Sequence, residues 1–127
     1  MLAVHHLAVK ASDLARSRVF YVEVLGLPVL KTHEDALGVR SFWLQLGAGE
    51  AFLALERADK KEDLLRHDDA VGWHCVALSM SVDARAAWIA KLEAAGHPVF
   101  RQTPYSIYVR DPDGVVIALS HYPHEAR

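Results

Sequence analysis

The sequence has little cysteine, little net charge and no long apolar run. Its single cysteine, Cys75, excludes an internal disulfide framework and is typical of a reducing compartment. Fourteen basic and sixteen acidic residues give a net charge of −2, which provides no reason to expect a nucleic acid or an anionic membrane as a partner. No apolar run approaches the roughly 18 residues of a membrane span, and no signal-peptide pattern opens the chain. These absences predict a soluble, cytoplasmic protein.

The sequence does contain an internal repeat. Asp13 and Gly26 in the first copy match Asp83 and Gly96 in the second, and the dipeptide Pro-Val follows each glycine at the same distance. The 127 residues, 52% of them hydrophobic, suffice for one domain with a packed core. We therefore expect a single domain made of two duplicated modules, with these ranges: first module 1–57, linker 58–70, second module 71–122 and tail 123–127.

Each copy is predicted to form a strand, a helix and three further strands. Asp13 and Asp83 suit the N-cap of the helices, and Gly26 and Gly96 suit their ends. Turn residues in "GAGE" and "DPDG" separate the last two strands of each copy. The fold class is therefore α+β, with two βαβββ modules. The predicted strands are 2–10, 28–32, 39–47 and 50–57, then 73–81, 98–101, 105–110 and 115–121. The apolar helix residues expected in the core are Leu14, Val19, Tyr21, Val22, Leu25, Trp88, Ile89 and Leu92.

The alternation of side chains along a strand assigns two faces to each sheet. Leu7 and Val9 are expected to pack on the helix, which leaves His6 on the opposite face and directs its neighbour His5 away from it. The residues expected on that opposite face are His6, Ala8, Lys10, Trp43, Gln45, Phe52, Ala54 and Glu56 in the first copy, and Ala77, Ser79, Ser106, Tyr108, Val116, Ala118 and Ser120 in the second.

The fifth strand admits two registers. Cys75 on the opposite face leaves Val76 and Leu78 to pack on the helix, which is the better amphipathic pattern, and it overlays "HCVAL" on "HHLAV" without a gap. The alternative, with a bulge, turns His74 to that face. The remaining histidines are expected at the surface, with His33, His67 and His97 in loops or turns and His121 and His124 in the tail.

The segments "HLAVKASDLARSRVFYVEVLGL" and "SIYVRDPDGVVIAL" resemble the vicinal oxygen chelate superfamily, which includes glyoxalase I, extradiol dioxygenases and bleomycin-resistance proteins. The resemblance covers nearly the whole chain. It implies curled mixed sheets around a cleft, with the helices on the outer face. It also implies a homodimer that shares its clefts between two subunits.

Enzymes of this superfamily bind a divalent metal, and the resemblance implies where their ligands fall. Neutral imidazole and carboxylate suit Zn, Ni, Mn or Fe(II). The first-strand ligand falls on His6, and the fifth-strand ligand falls on Cys75 or, with a bulge, on His74. The two carboxylate positions fall on Ala54 and Ala118, so both carboxylates are missing.

Two functions follow from this comparison. In one, the protein binds a small organic molecule in its cleft without a metal cofactor, using mostly apolar walls with a few polar groups. In the alternative, it is a divalent-metal-dependent lyase, thiol transferase or dioxygenase that uses His6, His74 or Cys75, and Glu56. The sequence alone does not decide whether it is an enzyme, and a non-catalytic interaction protein ranks below both readings.

His6 and Glu56 are the candidate catalytic pair, acting as a general-base couple. The candidate ligand-binding residues are Trp43, Gln45, Phe52, Cys75, Ser106 and Tyr108.

Overall fold

The computed structural model describes residues 1–59 and 71–125, and the chain divides into two compact units, Met1–Asp63 and Leu64–Arg127. We call them the first and the second unit. Most of the predicted linker, from residue 60 onward, lies outside the described residues, as does His67. No helix in the described ranges is long and apolar enough to cross a membrane.

The first unit is a four-stranded mixed sheet with one helical segment. The sheet order is β1-β4-β3-β2, with β1 parallel to β4 and the other pairs antiparallel. A short α-helix follows β1 and continues into a wider π-helical turn over Val19–Val24. The elements are β1 His6–Ala11, α1 Leu14–Arg18, β2 Val29–Asp35, β3 Gly38–Gln45 and β4 Phe52–Arg57.

The second unit repeats this arrangement. Its sheet order is β5-β8-β7-β6, and again the first strand of the unit runs parallel to the last. The elements are β5 Val76–Ser79, α2 Arg85–Ala94, β6 Arg101–Gln102, β7 Ser106–Arg110 and β8 Val116–Ser120. The predicted α+β fold with two βαβββ modules is confirmed. The predicted first strands of both copies are too long at their amino-terminal ends, since β1 begins at His6 and β5 at Val76.

The two helices begin differently. The Asp13 carboxylate accepts a hydrogen bond from the Arg16 amide at 3.1 Å, as expected of an N-cap. Asp83 does not cap α2, because it lies inside a 3₁₀ turn over Val82–Ala84 that precedes the helix. Gly26 and Gly96 follow the two helical segments with φ of 77° and 85°, the left-handed conformation predicted for them.

The core of each unit lies between the helix and one face of the sheet. The side chains that are almost fully buried there include Phe20, Tyr21, Leu44, Leu53 and Leu55 in the first unit, and Leu92, Ile107, Val109, Ile117 and Leu119 in the second. Val19 was expected in this core but is 46% exposed, because the buried stripe of the helical segment follows Leu14, Ser17, Tyr21 and Leu25 at intervals of three and four residues, and Val19 lies outside it.

His121 was expected at the surface but is only 2% exposed. Its Nε2 lies 2.9 Å from the Arg85 guanidinium, and its Nδ1 contacts the carbonyl oxygen of His124. Because a guanidinium can only donate, the Nε2 atom accepts and the Nδ1 atom carries the proton. Arg85 also donates to the carbonyl oxygen of Thr103 at 2.8 Å, so it joins α2 to the segment before β7 and to the residues after β8.

Candidate functional site

The face of the first sheet that turns away from the helix has a regular register. On β1 and β4, His6 lies beside Phe52, Ala8 beside Ala54, and Lys10 beside Glu56. On β3, the neighbours of these three β4 residues are Gln45, Trp43 and Ser41, in the same order. The face therefore consists of three rows that run across the strands. Ala54, at its centre, is 2% exposed.

Four aromatic rings, one from each strand, cross this face. The His6 and Phe52 rings are stacked with centroids 5.0 Å apart, and the Phe52 and Trp43 rings are stacked at 4.5 Å. His33 completes the set, with its ring centroid 4.5 Å from that of Trp43 and tilted by 55°. Because Phe52 lies between two stacked rings, neither of its flat faces is free to stack on a ligand.

His5 shares a neighbour with His6, contrary to the expectation that strand alternation separates the two. Its ring meets the Phe52 ring edge-on at 5.7 Å, and its Nδ1 lies 2.9 Å from the Nδ1 of His6. The alternation rule fails here because β1 begins only at His6, so His5 is not held in the strand. Both histidines are exposed.

His33 is a candidate site residue that the sequence prediction missed. It was expected in a loop, but it lies within β2, half-buried, and its Nε2 atom is buried without a hydrogen-bond partner. β2 is a polar strand, "VLKTHED", so its hydrophobic pattern does not show where it ends. The turn residues Asp35 and Gly38 would have placed its end correctly, since they are typical of a short hairpin loop.

An open recess of about 350 Å³ lies on this part of the first unit. Trp43 contributes its apolar wall, and the remaining lining is polar. Glu56 and Arg40, which carry opposite charges, form no hydrogen bond or ion pair with any residue in the described ranges. The recess is lined by His33, Glu34, Arg40, Ser41, Trp43 and Glu56.

The proposed general-base pair is not brought together within this unit. His6 on β1 is the register partner of Phe52 on β4, and Glu56 lies four residues after Phe52 on β4. Four residues of β-strand span roughly 13 Å, which is too far for a hydrogen bond between the two side chains. Gln45, another predicted ligand contact, is beside Phe52 and donates from its side-chain amide to the Gly47 carbonyl oxygen at 2.9 Å.

The second sheet has a corresponding face. Ala77, Ala118 and Tyr108 are neighbours on β5, β8 and β7, and Arg101 on β6 follows them. The Arg101 guanidinium lies 5.1 Å from the centroid of the Tyr108 ring. In the adjacent row, the Ser106 hydroxyl donates to that of Ser120 at 2.9 Å.

Both His74 and Cys75 precede β5, so the choice between them does not depend on strand alternation. The His74 ring stacks with that of Tyr108 at 6.0 Å, which places it beside the Ala118 face. Cys75 is half-buried, and this burial raises the pKa of its thiol. A raised pKa disfavours the thiolate, which is the form that binds metals and acts as a nucleophile.

The donor sets within the two units do not fit the metal of the superfamily. Ala54 and Ala118, at the two carboxylate positions, have no donor atom and are each 2% exposed. Within the described part of either unit, no three side chains of His, Cys, Asp or Glu come together in a group that could hold a metal ion.

Comparisons with known proteins agree with this fold. The family model described as Glyoxalase/Bleomycin resistance protein/Dioxygenase superfamily matches residues 3–119. Lactoylglutathione lyase from Agrobacterium tumefaciens is 26% identical, with a TM-score of 0.64 over 94% of this chain and 93% of that one. A glyoxalase family protein from Enterococcus faecalis is 25% identical, with a TM-score of 0.70 over 94% and 97% of the two chains.

A more distant neighbour shows the fold alone. The fosfomycin resistance protein FosX from Listeria monocytogenes is 13% identical, with a TM-score of 0.76 over 100% of this chain and 96% of that one. A structure of a mutant of that protein contains Mn(II) and dihydroxypropylphosphonic acid. No sequence among the curated proteins matches this chain significantly.

Proposed function

Because the chain belongs to the glyoxalase/bleomycin resistance protein/dioxygenase superfamily, we propose that it binds a small organic molecule with an aromatic part, without the divalent metal of its enzymatic relatives. One observation carries this proposal. At the centre of each sheet face, where the superfamily resemblance implies a carboxylate, a buried alanine lies beside an aromatic ring, Ala54 beside Trp43 and Ala118 beside Tyr108.

The first unit offers the better-defined surface. Phe52 covers one side of the Trp43 indole, and the Lys31 ammonium lies over the ring, 5.8 Å from its centroid. Phe52 and Lys31 come from the strands on the two sides of β3. The edge of the indole is therefore its accessible part, and a ligand ring meets it edge-to-face, a favourable geometry for aromatic pairs.

Binding of indole tests this function. We expect indole to shift amide resonances around Trp43 in an NMR titration, with a dissociation constant in the millimolar to high micromolar range expected of so small a ligand. Trp43→Leu should remove the shifts. Trp73→Leu is the matched control, since it makes the same change at a fully exposed tryptophan that does not line the recess. If indole and larger aromatic compounds leave the wild-type spectrum unchanged, the proposed function is wrong.

Metal analysis separates this proposal from the metalloenzyme alternative. The alternative uses His6 and His74 or Cys75, with Glu56, as ligands. We expect protein purified without a polyhistidine tag or chelators to hold far less than one equivalent of Zn, Ni, Mn or Fe. A stoichiometric metal that disappears in His6→Ala would overturn the metal-free proposal.

A homodimer is also part of the proposal, since it is the usual state implied by the superfamily resemblance for a chain of two modules. We expect light scattering to give twice the chain mass of 14.1 kDa at micromolar concentrations. A monomer at high concentration would contradict the dimer without affecting the aromatic-ligand test.

A further inference from the structure

We propose that the recess of the first unit selects a zwitterionic ligand, in which a cationic amine and a carboxylate are attached to the aromatic part. This inference rests on the proposed function and specifies its ligand class. Its basis is that polar groups of opposite charge line one recess without bonding to each other or to other described residues.

Glu56 is the acceptor for the cationic end of such a ligand. Its register neighbours are Lys10 on β1 and Ser41 on β3. The Lys10 ammonium does not form an ion pair with it, so the carboxylate keeps its acceptor capacity. A carboxylate beside a ring edge suits an ammonium group, which donates up to three hydrogen bonds.

Arg40 is the donor for the anionic end. It precedes Ser41, the register partner of Glu56. The pairing of β2 with β3 has a register irregularity that leaves Arg40 without a partner on β2, so strict alternation does not hold at this point, and Arg40 lines the same recess as Glu56. The Asp35 carboxylate attracts Arg40 electrostatically, but it already accepts hydrogen bonds from the Arg57 guanidinium and, at 2.8 Å, from the Leu37 amide. A guanidinium binds a carboxylate through two parallel hydrogen bonds, which makes Arg40 suited to that group.

His33 gives a second, independent indication that a polar ligand binds in this recess. Its Nε2 is buried and has no hydrogen-bond partner, whereas nearly all buried polar atoms in proteins have one. His33 lines the same recess and contacts Trp43. A polar ligand at this place, with a small shift of the half-buried imidazole, would provide the missing hydrogen bond.

Four compounds with one ring system test the proposal: indole, tryptamine, indole-3-propionate and tryptophan. They present no charge, a cation, an anion and both charges, respectively. We expect tryptophan to bind roughly threefold to tenfold more tightly than either singly charged compound, the effect of one partly exposed charged hydrogen bond. The affinities are measured by NMR titration of the untagged chain at low salt.

Two variants, each of which removes one charge, assign the charges of the ligand to residues of the recess. Glu56→Gln should remove the advantage of tryptophan over indole-3-propionate, and Arg40→Gln should remove its advantage over tryptamine. The affinity of each variant for neutral indole is the reference against which its affinities for the charged compounds are compared. Glu50→Gln, in the exposed turn before β4 and outside the recess, is the control and should change none of the four affinities.

The outcomes separate this inference from the function on which it rests. If indole binds and tryptophan binds no better, the zwitterion inference is wrong and the aromatic-ligand function stands. If none of the four compounds binds, both are wrong. If Glu56→Gln or Arg40→Gln alters the four affinities no more than Glu50→Gln does, the assignment of charges to the recess is overturned.

Discussion

The two units share one row of side chains across their sheets. In the first unit it runs Ala8, Ala54, Trp43 and Lys31, and in the second it runs Ala77, Ala118, Tyr108 and Arg101. In both, a cation from the edge strand lies over the aromatic ring, at 5.8 Å and 5.1 Å from its centroid. The duplicated frame therefore preserves a sequence of side-chain types as well as a strand order.

The rows of side chains on either side of this shared row differ between the two units. The first unit has the Phe52 stack on one side and the charged Glu56 row on the other. The second unit has Val116 at the position of Phe52, and Ser79, Ser120 and Ser106 in place of the charged row. Because the backbone register is the same, the chemical difference lies in the flanking rows. They are where ligand specificity is expected to reside.

The largest expected effect tests whether the two alanines are equivalent. Ala54→Glu and Ala118→Glu each bury a carboxylate in an apolar position without a partner, which should cost about 3–5 kcal/mol of unfolding free energy in either unit. Urea denaturation measures the loss. Ala36→Glu, in the exposed β2–β3 turn, is the control and should change little. A variant at either alanine that keeps wild-type stability would show that the two faces are not equivalent.

A second prediction concerns the hydrogen-bond network around Arg85 in the second unit. Arg85→Met removes the donor to His121 and Thr103 and leaves a buried imidazole nitrogen unsatisfied, at a cost of about 2 kcal/mol. The matching position in the first unit is Ala15, which cannot form such bonds.

Arg18→Met in the first unit provides the comparison for that loss. Its exposed ion pair with Glu23 at 3.6 Å should contribute less than about 1 kcal/mol. Thermal or urea unfolding of the two variants measures the difference. Equal losses would mean that the Arg85 network does not stabilise the second unit.

The helix starts give a smaller contrast. Asp13→Ala removes an observed N-cap and should cost about 1 kcal/mol, whereas Asp83→Ala removes no capping bond and should stay within about 0.5 kcal/mol. Unfolding in urea measures both. A loss in Asp83→Ala as large as that in Asp13→Ala would contradict the difference between the two helix starts.

These helix starts also show how far the sequence predicts the structure. The repeat, the order of elements along the chain and the helix ends at Gly26 and Gly96 follow from patterns visible in the sequence. Asp83 matches Asp13 in sequence, yet a single 3₁₀ turn moves it out of the capping position. Turns of this kind are frequent at the first residues of helices, and the match between the two aspartates does not show which of them is preceded by one.

The candidate site was less predictable than the fold. The face residues of β1 and β4 follow from alternation, because large aliphatic side chains recur there at every second position, Leu7 and Val9 in β1 and Leu53 and Leu55 in β4. Those of β3 follow from its pairing with β4. His33 lies on a polar edge strand, which has no hydrophobic pattern to show its faces. His5 precedes the first residue of β1, so the alternation of side chains in that strand does not determine where it points. The contacts that they make with Trp43 and Phe52 arise from side-chain placement across strands, which the order of residues along one strand does not encode.

The smallest expected effect concerns acid stability, and it also distinguishes the units. The hydrogen bond from Arg57 and then that from the Leu37 amide hold the pKa of Asp35 below its ordinary value, so the folded state favours the charged carboxylate. The stability that this group contributes is present above the ordinary pKa of about 3.9 and is lost as the pH falls through the lower, folded pKa.

Asp35→Asn should therefore be less stable than the wild type at pH 6, and the difference should disappear as the pH falls through the lowered pKa of Asp35 in the folded state. Arg57 also donates a hydrogen bond to the Val39 carbonyl oxygen, and the variant keeps that bond. The loss of stability in the hairpin of β2 and β3 should therefore be modest. Amide hydrogen exchange across β2 and β3 measures it, with Asp83→Asn as the control. In the second unit Tyr105 occupies the position of Asp35, and the buried Asp111 carboxylate instead accepts hydrogen bonds from the Asp113 and Val115 amides in the turn between β7 and β8. The change caused by Asp35→Asn should therefore be confined to β2 and β3. If Asp35→Asn leaves the pH dependence of exchange in β2 and β3 unchanged, the acid sensitivity of this sheet belongs to other carboxylates.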